Sequence, residues 1–104
     1  MQTSSKIAVI GHFRMPPELL EEARPMMAKV IEATRAEDGC IAYSYSEDVV
    51  EPGLIRVSEL WQSREHLAMH FKTPHMATWA EERAGLGLTD RDIAAYSVNG
   101  KEAL

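Results

Sequence analysis

Four segments of the chain are rich in the β-branched, aromatic and other apolar residues that favour strands, with polar stretches between them. These segments predict strands over residues 6–14, 40–47, 54–61 and 92–98. The second and third are joined by a stretch that contains Glu51-Pro52-Gly53, a turn signal. We therefore expect these two strands to form a β-hairpin.

Alternate residues of a strand lie on opposite faces, so the hairpin sequence assigns side chains to faces. We expect Ile41, Tyr43 and Tyr45 to share one face of the second strand. On the third strand four residues are expected to share a face: Ile55, Val57, Glu59 and Trp61. The carboxyl group of Glu59 and the indole of Trp61 should therefore point the same way.

The longest helix is predicted from Glu18 to Ala36, where apolar residues recur at intervals of three and four. Pro25 lies inside it, and because proline lacks an amide hydrogen we expect a kink or a short break near residues 21–24. The helix should end at Asp38-Gly39, where glycine supplies a left-handed cap.

Two shorter helices are predicted between the third and fourth strands. Ser63 is a good N-cap, and the helix that it begins stops at Thr73-Pro74. Pro74 then opens the next helix, which covers residues 75–84. The stretch Gly85-Leu86-Gly87 ends it.

The resulting order, β-α-β-β-α-α-β, predicts an α+β fold of the ferredoxin-like, split βαβ type. A four-stranded antiparallel sheet then carries its helices on one face. Because neither face of the predicted sheet is wholly polar, the face without helices is expected to meet another sheet. A homodimer through this open sheet face is the simplest arrangement.

Length and composition limit the classes of partner that this chain is expected to bind. The chain has 104 residues, enough for one core, and we expect a single domain over residues 1–104. Sixteen acidic residues against 11 basic ones give a net charge of −5, which argues against nucleic acid and membrane surfaces.

The lone Cys40 makes no intramolecular disulfide and is expected to be a small buried thiol, so a cytoplasmic location is expected. No glycine-rich phosphate loop or serine-hydrolase elbow occurs, which argues against nucleotide chemistry.

Three short motifs follow one another in the middle of the chain. They are acidic-x-Gly-Cys-x-x-Tyr at residues 37–43, Glu-x-Trp-x-Ser at residues 59–63, and His70 followed by His75. In this order and spacing they resemble the signature of the antibiotic biosynthesis monooxygenase family, and the order of strands and helices agrees across most of the chain. The resemblance implies a dimeric α+β barrel, with a small pocket between sheet and helices in each subunit.

The resemblance also implies a reaction. Members of this family oxygenate electron-rich aromatics, often with no metal or flavin, because the substrate anion itself gives an electron to O2. We therefore expect a cofactor-independent monooxygenase that oxidises a small quinol-like or polyphenolic aromatic with O2. Val57 and Leu67 lie where anthrone-oxidising members have an asparagine and a tyrosine, which argues against anthrones. The alternatives are an isomerase of a small phosphorylated or keto sugar, a ligand-binding dimer without catalysis, and a haem-binding protein.

Such a reaction needs a base, and His70 is the candidate because imidazole accepts protons near neutrality. Glu59 is the candidate carboxylate that orients it. Each residue also has a purely structural alternative. His70 could be a surface histidine or a buried one whose hydrogen bonds are all made, and Glu59 could form an ion pair or hydrogen bond that joins its strand to a neighbouring strand or loop.

Five more residues are candidates for substrate binding: Trp61, Tyr43, His75, His12 and Arg83. Trp61 would form a pocket wall and Tyr43 would donate a hydroxyl hydrogen bond. His75 would lie at the pocket mouth, His12 would line the pocket from the first strand, and Arg83 would anchor an anion. Each also has a structural reading, such as core packing for Trp61 or a surface ion pair with Glu81 or Glu82 for Arg83. Ile10 shares a face with His12 and is an equal candidate there.

A metal-binding site is the main alternative to a metal-free base at His70. His66 and His70 are four residues apart on one predicted helix, a spacing that brings two imidazoles to one ion, with His75 or Glu59 as a third ligand. No HExxH motif or cysteine pair accompanies them, so the sequence predicts no metal site.

Overall fold

The computed structural model describes residues 5–104, which form one antiparallel sheet and three α-helices. The strands are β1 (Lys6–Arg14), β2 (Cys40–Glu47), β3 (Leu54–Trp61) and β4 (Thr89–Val98). The helices are α1 (Leu20–Arg35), α2 (Arg64–His70) and α3 (Pro74–Ala84), with one 3-10 turn, Pro17–Leu19, before α1. The sheet order is β2-β3-β1-β4, with every neighbouring pair antiparallel. This is the predicted ferredoxin-like α+β arrangement.

The helices cover one face of the sheet, and the core lies between the two layers. One buried cluster joins Phe13 and Ile55 of the sheet to Ala23 of α1 and Trp79 of α3. A second cluster packs strand residues, among them Trp61, against α2. On β3 the four predicted residues are all buried, which confirms the predicted face. Side chains on the covered face are therefore shielded from water and contact one another.

The other face of the sheet, here called the open face, has no helix of residues 5–104 against it. It carries Ile10, Ile41 and Tyr96, which are 56%, 44% and 55% exposed. A groove of about 650 Å³ crosses one end of all four strands and is lined by Ile41, Leu60 and residues 98–101, among others. The open face thus presents three large apolar side chains to solvent among polar ones.

The predicted alternation on β2 is wrong at its first residues. Cys40 is opposite Trp61 and Ala42 is opposite Leu60, so Ile41 is an extra residue in a β-bulge. The bulge reverses the alternation, because two residues of β2 now occupy the space of one. Cys40 therefore packs against the covered-face cluster, and Ile41 lies on the open face instead of beside Tyr43.

The prediction for α1 needs two corrections. The helix is continuous through Pro25, so the expected break near residues 21–24 does not occur. Glu21 and Pro25 are both exposed, and water can satisfy the carbonyl that proline leaves free. The helix also ends at Arg35, before Asp38-Gly39. Gly39 does adopt a left-handed conformation, with φ of +83°, but in the turn that leads into β2.

The last strand begins at Thr89, three residues before the predicted start at Asp92. Thr89 pairs with Arg14 of β1, after an irregularity in the ladder between His12 and Arg14. The residues that extend β4 are polar and give no hydrophobic signal, so backbone pairing alone places them in the sheet. None of the helices in residues 5–104 combines the length and the apolar composition needed to cross a membrane.

Gly11 lies where β1 and β4 approach closely, and a Cβ at this position would overlap the carbonyl oxygen of Asp92. We predict that Gly11→Ala lowers the free energy of unfolding by about 2 kcal/mol, the usual cost of forcing atoms into a packed site. Urea denaturation measures this loss. Gly100→Ala is the control, because its Cβ would meet no atom within 4 Å. Equal stability of the two variants would contradict the close approach of the strands.

Candidate active site

Three polar side chains from three separate segments meet at one end of the helical layer. Glu37 lies in the turn after α1, His70 is the last residue of α2, and His75 is in the first turn of α3. One oxygen of Glu37, Oε2, is 2.8 Å from Nδ1 of His70 and 2.6 Å from Nε2 of His75. Because a carboxylate only accepts hydrogen bonds, both of these ring nitrogens carry hydrogens. We call these three residues the histidine cluster.

Local sequence brings the two histidines together at a tight corner between α2 and α3. The carbonyl oxygen of His70 accepts hydrogen bonds from the hydroxyl of Thr73, at 2.8 Å, and from its backbone N–H, at 3.2 Å. Pro74, which needs no N–H partner, then begins α3 at once. His70 and His75 therefore lie on the two sides of one turn.

Glycine brings Glu37 to this corner. Gly39 packs so closely on α2 that a Cβ there would overlap the side chain of His66. Its left-handed conformation, which other residues rarely adopt, is also needed at this point of the turn. The turn after α1 thus lies directly against α2.

His70 is buried among aromatic rings and is only 1% exposed. Its ring centroid lies 4.8 Å from that of Trp61, 5.3 Å from that of Tyr43 and 5.4 Å from that of Phe71. Burial lowers the pKa of His70, because the charged imidazolium loses its water, and the hydrogen bond to Glu37 acts in the opposite direction. With Nδ1–H donated to Glu37, the other nitrogen of the neutral ring, Nε2, has a free lone pair.

Glu59 does not orient His70: among residues 5–104 the carboxylate bonded to His70 is that of Glu37. Glu59 instead accepts a hydrogen bond from Nε1 of Trp61 at 2.9 Å. Burial raises the pKa of Glu59 to about 7, and the negative charge of Glu37 adds to this rise, whereas the bond from Trp61 opposes it. Glu59 is therefore a buried carboxyl group that exchanges its proton near neutrality.

A cavity of about 50 Å³ lies between the sheet and helices α2 and α3. His70, Glu59, Tyr43, Tyr45 and Arg83 all line it. The two tyrosine hydroxyls are 2.7 Å apart, and burial raises the pKa of both, so they stay protonated and can donate. The volume suits a water molecule or two and is far below the usual size of a ligand pocket, roughly 300–1,000 Å³.

The other candidates occupy different positions. Trp61 is fully buried behind His70 and does not line the cavity. His75 borders a separate depression of about 310 Å³ between α1 and α3, on the outer side of the histidine cluster. His12 lies on the same side of β1 as Ile10, on the open face, because side chains alternate across the strand. The structure therefore brings Tyr43 and Arg83 to the cavity beside His70, and it does not bring His12 there.

The structure also shows which residues could hold a metal ion. Glu37, His70 and His75 each offer one ligand atom within 4.8 Å of the others. His66, which the sequence pairs with His70 as the alternative, instead bonds to Ser63 at 2.7 Å and lies 3.4 Å from Asp38. Any ion at the histidine cluster would have to replace the two hydrogen bonds that Glu37 now accepts.

Sequence reasoning missed the role of Glu37. This residue is separated from His70 by 33 positions, and no local period links the two. Its one signal was its place as the first, acidic residue of the motif at residues 37–43. Arg91 of β4, which also lines the cavity, gave no signal.

The sheet, its single helical layer and the histidine cluster at one end of that layer define a small α+β protein of the ferredoxin-like type. The chain belongs to the antibiotic biosynthesis monooxygenase family, whose sequence model matches residues 6–82. This finding confirms the family that the three motifs predicted.

Individual relatives agree with this assignment. Rv0793 of Mycobacterium tuberculosis, a candidate monooxygenase by name, is 34% identical over 92 residues, which are 88% of this chain and 87% of that protein. The probable quinol monooxygenase YgiN of Escherichia coli is 32% identical over 66 residues, 56% of this chain and 64% of that protein. A solved structure from Deinococcus radiodurans, described as a candidate antibiotic biosynthesis monooxygenase, has a TM-score of 0.87 at 26% identity and covers 94% of this chain and 97% of its own.

The raised pKa of Glu59 makes stability depend on pH. The folded state holds this proton up to about pH 7, whereas the unfolded carboxyl loses it near 4.5. The protonated carboxyl therefore stabilises the fold at low pH, and this contribution is lost as the pH rises from about 4.5 to about 7. Glutamine does not titrate and can still accept from Trp61. We predict that Glu59→Gln gains stability relative to the wild type between pH 5 and pH 8, by at most about 3 kcal/mol.

Urea denaturation at the two pH values measures this difference. Glu81→Gln is the control, because Glu81 is exposed on α3. Its difference from the wild type should not change with pH. Parallel pH curves for wild type and Glu59→Gln would show that Glu59 titrates as an ordinary carboxyl group.

Proposed function

We propose that this protein is a cofactor-independent monooxygenase that oxidises a small quinol-like or polyphenolic aromatic with O2. One observation carries the proposal: a neutral imidazole, His70, is held by a carboxylate on one nitrogen and lines an aromatic cavity. Membership of the family and the quinol monooxygenase named among its relatives support the same reaction class. An oriented base in a water-poor site is what formation of a phenolate requires.

In the proposed reaction, Nε2 of His70 accepts the hydroxyl proton of the substrate, and Glu37 stabilises the imidazolium that forms. The resulting phenolate is electron-rich enough to give an electron to O2. One oxygen atom then enters a ring carbon as a carbonyl, and the other leaves as water with two hydrogens from the substrate. For 1-naphthol this balance reads C10H8O plus O2 to C10H6O2 plus H2O.

The other polar groups of the cavity suit the charge that develops. The hydroxyls of Tyr43 and Tyr45 remain protonated, and because one of them donates to the other, the second keeps its hydrogen free to donate to a phenolate oxygen. Glu59, which exchanges its proton near pH 7, can supply a proton to the oxygen atom that leaves as water. Each of these roles uses a group that already faces the cavity.

The size of the cavity requires movement before an aromatic ring enters. Of the side chains that line it, Phe71 is 61% exposed, and Met76 is unbranched and only partly buried. Exposed and unbranched side chains change rotamer at little cost. In the proposal these two residues move aside when the substrate ring enters.

We predict that His70→Asn lowers the rate of quinol-dependent O2 consumption by at least about 100-fold, the usual contribution of a general base. Asparagine can still donate a hydrogen bond to Glu37 but cannot accept the substrate proton. An oxygen electrode with a panel of hydroquinones and naphthols measures the rate. Glu37→Gln should lower it by about tenfold, because the orientation of His70 is kept and the charge is lost.

His66→Asn is the control, since His66 lies on the same helix but outside the histidine cluster. It should keep the wild-type rate. Full activity of His70→Asn would exclude His70 as the base. A wild-type protein that consumes no O2 with any compound of the panel would overturn the proposed reaction.

We also propose that the active form is a homodimer joined through the open face. Three large apolar side chains, Ile10, Ile41 and Tyr96, are each about half exposed there, and the groove beside them is apolar at Ile41 and Leu60. A second copy that packs its own open face against this surface would remove these side chains from water. The two sheets would then form the dimeric α+β barrel that the family resemblance implies.

Ile10 lies on β1, a central strand, so a charge at this position would be buried between the two sheets. We predict that Ile10→Asp converts the dimer to a monomer at micromolar concentration, as measured by sedimentation velocity. Met69→Asp is the control, because Met69 is 63% exposed on α2, away from the open face. A dimer that survives Ile10→Asp, or a wild type that sediments as a monomer, would contradict this interface.

A further inference from the structure

Two arginines line the cavity, one from the helical layer and one from the sheet. Arg83 comes from α3 and is partly buried, and Arg91 comes from β4 and is exposed. Both line the same cavity as His70 and Glu59. The exposure of the two arginines places them where the cavity meets solvent. The aromatic interior therefore has a cationic mouth.

These two arginines are left without a carboxylate partner in the described part of the chain. Of the other five arginines, three form ion pairs, namely Arg14 with Glu51, Arg24 with Glu47, and Arg56 with Asp48, whereas Arg35 and Arg64 lie on the surface away from the cavity. The structure offers no such pair within 4 Å for Arg83 or Arg91 over residues 5–104. In a chain with 16 acidic residues, unpaired charges at a cavity are a feature to be explained.

The neighbours of Arg83 in sequence do not neutralise it. Glu82 is instead paired with Lys29 of α1, whose Nζ is 3.4 Å from Oε2 of Glu82. The surface ion pair that was the structural alternative for Arg83 is therefore not formed with Glu82. Burial raises the pKa of Tyr45 and of Glu59, and the charge of Arg83 opposes the rise at Tyr45 while that of Arg91 opposes it at Glu59. Both positive charges thus act on groups inside the cavity.

We propose that the substrate is a phenol or quinol that also carries an anionic oxyacid group, a carboxylate or a phosphate, which Arg83 and Arg91 bind at the mouth. Guanidinium groups stay charged and present forked donors that match the oxygens of such groups. With the anion held there, the ring extends inward to His70. The orientation of the ring rests on the proposed function, whereas the binding of the anion does not. Because the protein has a net charge of −5, this local pair of cations is what allows an anion to approach.

The test compares three ligands that share one ring system and keep a free hydroxyl: neutral 1-naphthol, 1-hydroxy-2-naphthoate and 4-hydroxy-1-naphthyl phosphate. Isothermal titration calorimetry without oxygen measures binding to the whole chain, so no turnover is needed. We expect at least one of the two anions to bind about tenfold or more tightly than 1-naphthol. Its Kd should rise with salt, because the contact at the mouth is screened, and that of 1-naphthol should not. Whichever anion binds more tightly identifies the oxyacid.

Arg83→Gln and Arg91→Gln should each weaken binding of the preferred anion about fivefold or more and leave 1-naphthol within about twofold. Arg64→Gln, an exposed arginine at the start of α2, is the control with the same loss of charge. Arg91 is exposed, so its variant stays folded even where Arg83→Gln loses stability. Equal affinity for all three ligands would overturn the proposal. So would a loss of anion affinity in Arg64→Gln as large as that in Arg83→Gln and Arg91→Gln. If the anion binds as expected but His70→Asn oxidises normally, the proposed base fails and the anion site stands.

Discussion

A single carboxylate oxygen connects the parts of this structure on which its chemistry depends. Oε2 of Glu37 accepts hydrogen bonds from two imidazoles that belong to different helices, while Glu37 itself belongs to the turn after α1. Hydrogen bonds to a charged acceptor are among the stronger polar contacts in proteins. Without this carboxylate, a ring nitrogen of the fully buried His70 would have no partner, which is costly. The same contact therefore holds the corner of the fold and fixes the tautomer of His70.

The site contains two carboxyl groups in different surroundings. Glu37 receives two imidazole N–H groups, whereas Glu59 receives one indole N–H and is otherwise dehydrated by the sheet and helices. Environment thus separates one carboxylate that orients a histidine from one carboxyl that exchanges protons near neutrality. The tyrosines beside them keep their hydrogens because burial makes the phenolate form unfavourable. Burial, more than residue type, therefore decides which of these groups hold a proton near neutral pH.

Sequence patterns predicted the order of elements because hydrophobic period, glycine and proline act locally. The bounds of β1, β2 and β3 and the corner at Thr73-Pro74 follow from those signals. The bulge at Ile41 and the polar start of β4 did not, since they depend on pairing with strands distant in sequence. The site divides in the same way. The motif points to His70, but the sequence suggests Glu59 of β3 as its partner, because nothing local reveals that the turn at Glu37 folds back onto α2.

The position of Glu37 between the two histidines has a further consequence for how the protein can diverge. His70 faces the interior cavity and His75 borders the outer depression between α1 and α3, so the bridging oxygen links two surfaces that share no lining residue. In the proposed reaction, substitutions in the cavity would alter which molecule fits, and substitutions in the outer depression would alter the charge around His70. Selection can therefore tune the choice of substrate and the working pH as two nearly separate traits within one small chain.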